Sequence, residues 1–156
     1  MDIAELRRQH DELELLAGQL LEKVREKTPQ RVATIRWRLA RVLIAHLSVE
    51  DRHLYPAMIA SGGRAQQVAT AFKDEMGGLA QEFSAYMGRW TDQDIRQNWS
   101  RFADDTEALL GALAQRIARE NKQLYPLLPV PAPPERHPVS PKPDPITPAR
   151  SGTVAR

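Results

Sequence analysis

The chain has no cysteine. That absence removes disulfides, thiolate zinc sites, iron–sulfur clusters and cysteine nucleophiles, so any metal must be held by imidazole and carboxylate. Long apolar runs are missing as well: nothing approaches the roughly 20 consecutive apolar residues that span a bilayer. The amino terminus carries no charged-then-apolar leader, since Met1 to Arg8 runs straight into an amphipathic pattern. A cytoplasmic protein with no membrane partner is expected. Charge of one sign is also scarce. The formal net charge is +2, and the segment from Pro129 onward accounts for it, with Arg136, Lys142, Arg150 and Arg156 against Glu135 and Asp144. The remainder is neutral and lacks the strong basic surface of a nucleic-acid binder, so no nucleic-acid partner is expected.

What is present is helical periodicity. A chain of 156 residues with 42% apolar content suffices for one domain with its own core. A first helix is expected from about Asp2 to Lys27, with Ile3, Leu6, His10, Leu13, Ala17, Leu20 and Val24 on one face. Thr28-Pro29 breaks it. A second helix carries Val32, Ile35, Leu39, Val42, His46, Glu50 and His53 on one face to about Ile59. After the breaker Ser61-Gly62-Gly63, a third places Val68, Phe72, Met76, Leu79, Phe83, Met87 and Trp90 on one stripe. Gly77-Gly78 interrupts that stripe and predicts a kink or a close approach. Thr91-Asp92 offers a cap for a fourth helix with Ile95, Trp99, Phe102, Thr106, Leu109, Leu113, Arg116, Glu120 and Leu124 buried. The domain therefore spans 1–128. Residues 129–156 hold nine of the twelve prolines and no apolar period, which predicts a disordered tail of polyproline character.

One segment carries chemistry. His46-Leu-Ser-Val-Glu50-Asp-Arg-His53-Leu54-Tyr55-Pro56 places a histidine and a glutamate four residues apart, on one helix face. A second copy, Arg116-Ile-Ala-Arg-Glu120-Asn-Lys-Gln-Leu124-Tyr125-Pro126, keeps the glutamate and the closing Leu-Tyr-Pro but has arginine where the first has histidine. Upstream, His10 precedes the first copy much as Met76 precedes the second, so the chain reads as two helix pairs. Such internal repeats build carboxylate–histidine sites inside four-helix bundles.

These residues resemble the hemerythrin-like proteins, the HHE cation-binding family, over about residues 1 to 128. The resemblance implies an all-α, up-and-down antiparallel four-helix bundle that in the family encloses two non-heme irons. His10, His46 and Glu50 match three ligand positions and Glu120 matches the fourth-helix carboxylate. Met76 and Arg116 occupy the histidine positions of the second half, which leaves a degenerate site. The implied ligands of one iron or other divalent ion are His10, His46, Glu50 and Glu120, and an imidazole–carboxylate set suits Fe(II), Mn(II) or Zn(II). His53 falls on the same face by its step from His46 and joins Arg116 and Met76 as a further candidate.

Buried carboxylates need a cation, so Glu50 and Glu120 are expected to face either a metal or the Arg116 guanidinium. The expected function is a binding or sensing module with at most one metal, regulatory through a protein partner that meets the tail or the bundle surface. Two alternatives stand beside it: a small non-heme iron enzyme that handles peroxide or nitric oxide, with a small diatomic or peroxide ligand, and a metal-free scaffold in which Arg116 replaces the metal charge. No catalytic residue is identified.

Overall fold

A computed structural model of the chain describes residues 2–129; the expected disordered tail, but for its first residue, lies outside the described residues. Helix α1 spans Ile3–Arg25, and the Asp2 side chain caps it by accepting the Ala4 N–H at 2.9 Å. It ends before the expected Lys27, because Lys27 adopts a left-handed φ of 54° that no helix continues. Helix α2 spans Pro29–Val49, with the proline in its first turn, where a missing N–H costs nothing. The rod then continues through a π-helical segment, Glu50–Leu54, into α3, Tyr55–Ala60.

Gly62 and Gly63, both at positive φ, turn the chain into α4, Gly63–Met76. Gly77 and Gly78 separate α4 from α5, Leu79–Arg89. The expected interruption is thus a real break in the helix. A Cβ on Gly77 would lie 2.4 Å from the Lys73 carbonyl oxygen, so the chain can bend here only without a side chain. Gly77→Ala should therefore cost roughly 1–3 kcal/mol through forced backbone displacement, read as a lower urea midpoint.

Thr91 caps as expected, accepting the Asp94 N–H at 3.2 Å, but the helix it starts is the short α6, Asp92–Gln97. The long fourth helix, α7, begins only at Trp99, after Asn98 leaves helical geometry, and runs to Arg119. A second π segment, Glu120–Leu124, and a 3-10 turn, Tyr125–Leu127, close the fold. Around the bundle α1 packs on α2, α2 on α5, α5 on α7 and α7 back on α1, the ring of an up-and-down four-helix bundle. Among the described residues there is no strand, and no helix is long and apolar enough to cross a membrane.

Several stripe assignments shift by one residue. Arg36, Leu43, Tyr86 and Leu110 are buried where Ile35, Val42, Met87 and Leu109 were expected, and those four are only half-buried. A 3.6-residue period leaves neighbouring positions on the stripe's edge, and the neighbouring helix decides which one is covered. The buried Arg36 donates to the Trp90 carbonyl at 2.7 Å and lies over the Tyr86 and Phe102 rings.

The core has two parts. A large cluster runs from Leu13 and Leu47 to Val24, Trp90, Ile95 and Phe102. A smaller one gathers Leu6, Leu54, Met58, Ala69, Phe72 and Leu124 at the other pole. Between them lies a layer of fully buried polar side chains: His10, His46, Glu50, Arg116 and Glu120, none more than 2% exposed.

Candidate metal centre

Each repeat reaches this layer through the same local device. In both copies the residue after Leu is tyrosine and the next is proline, which lacks an N–H and crowds the preceding turn. The helix widens to accommodate it: Tyr55 N–H bonds to Glu50 O, and Tyr125 N–H bonds to Glu120 O, five residues back in each case. In a regular α-helix, residues five apart point about 140° away from each other. In the widened turn Glu50 and Tyr55 are both buried, as are Glu120 and Tyr125. The same extra residue undoes the expected place of His53. Its step from His46 assumed an unbroken α-helix, whereas the π turn rotates it outward, and His53 is exposed beside Asp2, Glu5 and Gln9.

The structure brings the other four expected ligands together. His10, His46, Glu50 and Glu120 each offer an atom to one cluster whose members lie within 4.8 Å of one another. His10 Nε2 is 3.3 Å from Glu120 Oε2 and 3.9 Å from Glu50 Oε1, and His46 Nε2 is 3.4 Å from Glu50 Oε1.

The imidazoles are held from behind. His46 Nδ1–H donates to Gln9 Oε1 at 2.8 Å, and Gln9 Nε2 in turn donates to Glu5 Oε1 at 3.0 Å. His10 Nδ1–H donates to Asn121 Oδ1 at 2.9 Å, which also faces the donor-only Arg7 Nη1 at 3.5 Å. A carboxylate only accepts and a guanidinium only donates, so both amide orientations are fixed and with them both histidine tautomers. Each imidazole is thereby held with Nε2 directed inward, the arrangement in which an outer hydrogen bond orients a metal-binding histidine.

Arg116 points into the bundle. Its Nε donates to Glu120 Oε1 at 2.7 Å, its Nη2 to Glu50 Oε2 at 3.0 Å and to Asp51 Oδ1 at 3.0 Å, and its Nη1 to the Met76 carbonyl at 3.2 Å. Met76 thus contributes its backbone to the layer, while its side chain packs with the Phe72 cluster and meets Arg119 Nη1 at 3.8 Å through sulfur. Each buried glutamate is divided between two neighbours. Glu50 Oε2 and Glu120 Oε1 face the guanidinium, and Glu50 Oε1 and Glu120 Oε2 face the histidines.

Two tyrosines complete the layer, and the residue-type search for ligands missed both. Tyr55 Oη donates to Glu120 Oε1 at 2.6 Å, while Tyr125 Oη donates to Glu50 Oε1 and lies 3.1 Å from His10 Nε2. The repeated Leu-Tyr-Pro was the sequence signal for them. Gln9 and Asn121 had no such signal, because each acts only through a neighbouring element.

Electrostatics follow from this packing. Burial alone would raise the Glu50 pKa, but His46, Arg116 and Tyr125 hold it down at about 2. Burial opposes a charge on His10, yet Glu120, Asn121 and Glu50 outweigh it and raise the pKa above the ordinary histidine value. The Tyr55 and Tyr125 phenols are pushed up by burial and by the facing carboxylates. Arg116 stays charged, because Glu120 and Glu50 more than offset its burial.

The side of the layer away from Arg116 is short of positive charge. Glu120 Oε2 and His46 Nε2 have no hydrogen-bond partner among the described residues, although both are buried. Two imidazole nitrogens and two carboxylate oxygens converge there, a donor set that suits a small divalent cation.

Comparison with known proteins bears on this layer. The protein-family model described as the Hemerythrin HHE cation binding domain matches residues 1–128. Curated proteins and solved structures give no match. The matched span contains the whole bundle and every residue of the buried layer, and the chain belongs to the hemerythrin HHE cation-binding domain family.

Proposed function

We propose that this protein is a binding or sensing module that holds one metal ion in a mononuclear site. The ligands are His10 Nε2, His46 Nε2, Glu50 Oε1 and Glu120 Oε2, and the Arg116 guanidinium takes the place of a second cation. One observation carries the reading: each buried glutamate gives one oxygen to Arg116 and turns the other toward a histidine. A pair of carboxylates bridging two cations would divide its oxygens in the same way. Here one cation is built into the chain.

The donor set is compatible with iron or another divalent ion of similar preference, which would supply Lewis acidity and, as iron, electron exchange. The chain's own residues set its limits. Gln9 and Asn121 aim the imidazoles, Tyr125 guards the Glu50 oxygen, and the leucines above and below exclude water.

A metal-free scaffold is the second reading, favoured by the charge that Arg116 already supplies. The unpartnered Glu120 Oε2 and His46 Nε2 weigh against it. Elemental analysis separates the two. Protein stripped with chelator and reloaded with ferrous, manganous or zinc ion should retain about one ion per chain after desalting, and His46→Ala should retain none. Zero uptake by the unmodified chain, or two ions per chain, would refute the mononuclear reading.

A further inference from the structure

The four donor atoms do not fill the space around their centre. An ion bound at about 2.0–2.2 Å to nitrogen and oxygen has neighbouring donors about 3 Å apart. The spacings His10 Nε2–Glu120 Oε2 of 3.3 Å and His46 Nε2–Glu50 Oε1 of 3.4 Å have that character. So does one further contact, His10 Nε2 to Tyr125 Oη at 3.1 Å, and the same hydroxyl also touches Glu50 Oε1. Tyr125 Oη therefore sits among the ligand atoms. Its ring is fixed there, stacked on His10 with centroids 5.1 Å apart and planes 5° from parallel, and the Arg7 guanidinium carbon lies 5.4 Å from the ring centroid.

We propose that Tyr125 is a fifth ligand of the centre and binds the metal through Oη as a phenolate. This rests on the mononuclear site proposed above. When an ion takes the Glu50 and His10 atoms, the hydroxyl loses the partners it has now and remains within bonding reach of what replaces them. The Tyr125 O–H bond breaks, its proton leaves to solvent, and the oxygen keeps the electron pair for the metal.

Charge favours the step. Glu50, Glu120, Asp51 and Arg116 together carry two negative charges, a ferric ion would leave one positive charge, and the phenolate brings the sum to zero. A buried site without residual charge avoids the desolvation penalty of an unpaired ion.

Tyr55, the counterpart in the other repeat, is placed differently. Its hydroxyl bonds Glu120 Oε1, the oxygen already engaged by Arg116 Nε, and its ring lies 5.4 Å from the guanidinium carbon. It belongs to the arginine side. The third tyrosine, Tyr86, is bonded to Thr106 at 2.8 Å, in the other part of the core. The tyrosines therefore act as internal controls for one another.

The test uses the full-length chain, loaded anaerobically with one equivalent of ferrous ion and oxidised with ferricyanide. Ferric phenolate absorbs in the visible by charge transfer, and excitation into that band enhances tyrosine ring modes in the Raman spectrum. The band and the ring modes should be present in the unmodified protein, unchanged in Tyr55→Phe and lost in Tyr125→Phe at equal iron content. Should Tyr125→Phe fail to fold or to hold iron, ring-deuterated tyrosine in the Tyr55→Phe protein should shift the enhanced modes. Iron bound with no such band, or a band retained by Tyr125→Phe, would overturn the phenolate while leaving the mononuclear site standing. Absence of any iron uptake would overturn both.

Discussion

Arg116→Ala should destabilise the metal-free protein by roughly 3–5 kcal/mol, the cost of leaving a buried charge without its partner. Arg116 is 1% exposed and spans Glu50 and Glu120, each fully buried, with one N–H bond to each. Its removal leaves two carboxylates facing each other across the bundle axis. The tyrosine hydroxyls and the histidine beside them do not replace a full charge. Urea denaturation at neutral pH gives the number directly, from the midpoint and slope. Arg116→Lys should fall between, since lysine keeps the charge but reaches one carboxylate rather than both. A loss within the 0–1 kcal/mol of an exposed ion pair would mean that the guanidinium does not hold the layer together.

Arg116→His should raise metal uptake from one ion per chain to two. The change removes the resident cation and frees Glu50 Oε2, Glu120 Oε1 and the Asp51 carboxylate, all now engaged by the guanidinium. It also adds an imidazole one turn before Glu120, the spacing that His46 and Glu50 already use. Met76→His in the same chain should add less, because only the Met76 carbonyl reaches the layer, 3.2 Å from Arg116 Nη1, and the side chain packs with the Phe72 cluster. Without metal the Arg116→His protein should share the instability of Arg116→Ala. With metal it should recover stability in proportion to ion concentration, as binding to the folded state alone requires. A metal content fixed at one ion in both the single and the double variant would show that the second half no longer holds the shape of a site.

The polar layer was legible because two independent periods met there. The helical repeat put His10, His46, Glu50, Arg116 and Glu120 on buried faces, and the internal repeat matched Glu50 with Glu120 and His46 with Arg116. The position of Arg116 inside the bundle follows from this logic, and the structure places it there. His53 failed for a local reason: the periodic reading carried the α-helix through Pro56, whereas the chain opens a π turn before it. Asn98 broke the fourth helix by the same kind of local event, invisible to a stripe of apolar residues.

By itself the sequence determined that His10, His46, Glu50, Arg116 and Glu120 share buried faces and what chemistry they have, because burial period, repeat and ligand spacing are all one-dimensional patterns. It also set the charge of the layer, since Arg116 and the two glutamates are written in the chain. The tertiary structure alone decided how each carboxylate divides its oxygens, which tyrosine faces the histidines, and which amides aim the imidazoles. Those outcomes depend on distances between side chains on different elements, within a few tenths of an ångström, and on the rotation that the two widened turns impose on everything after them.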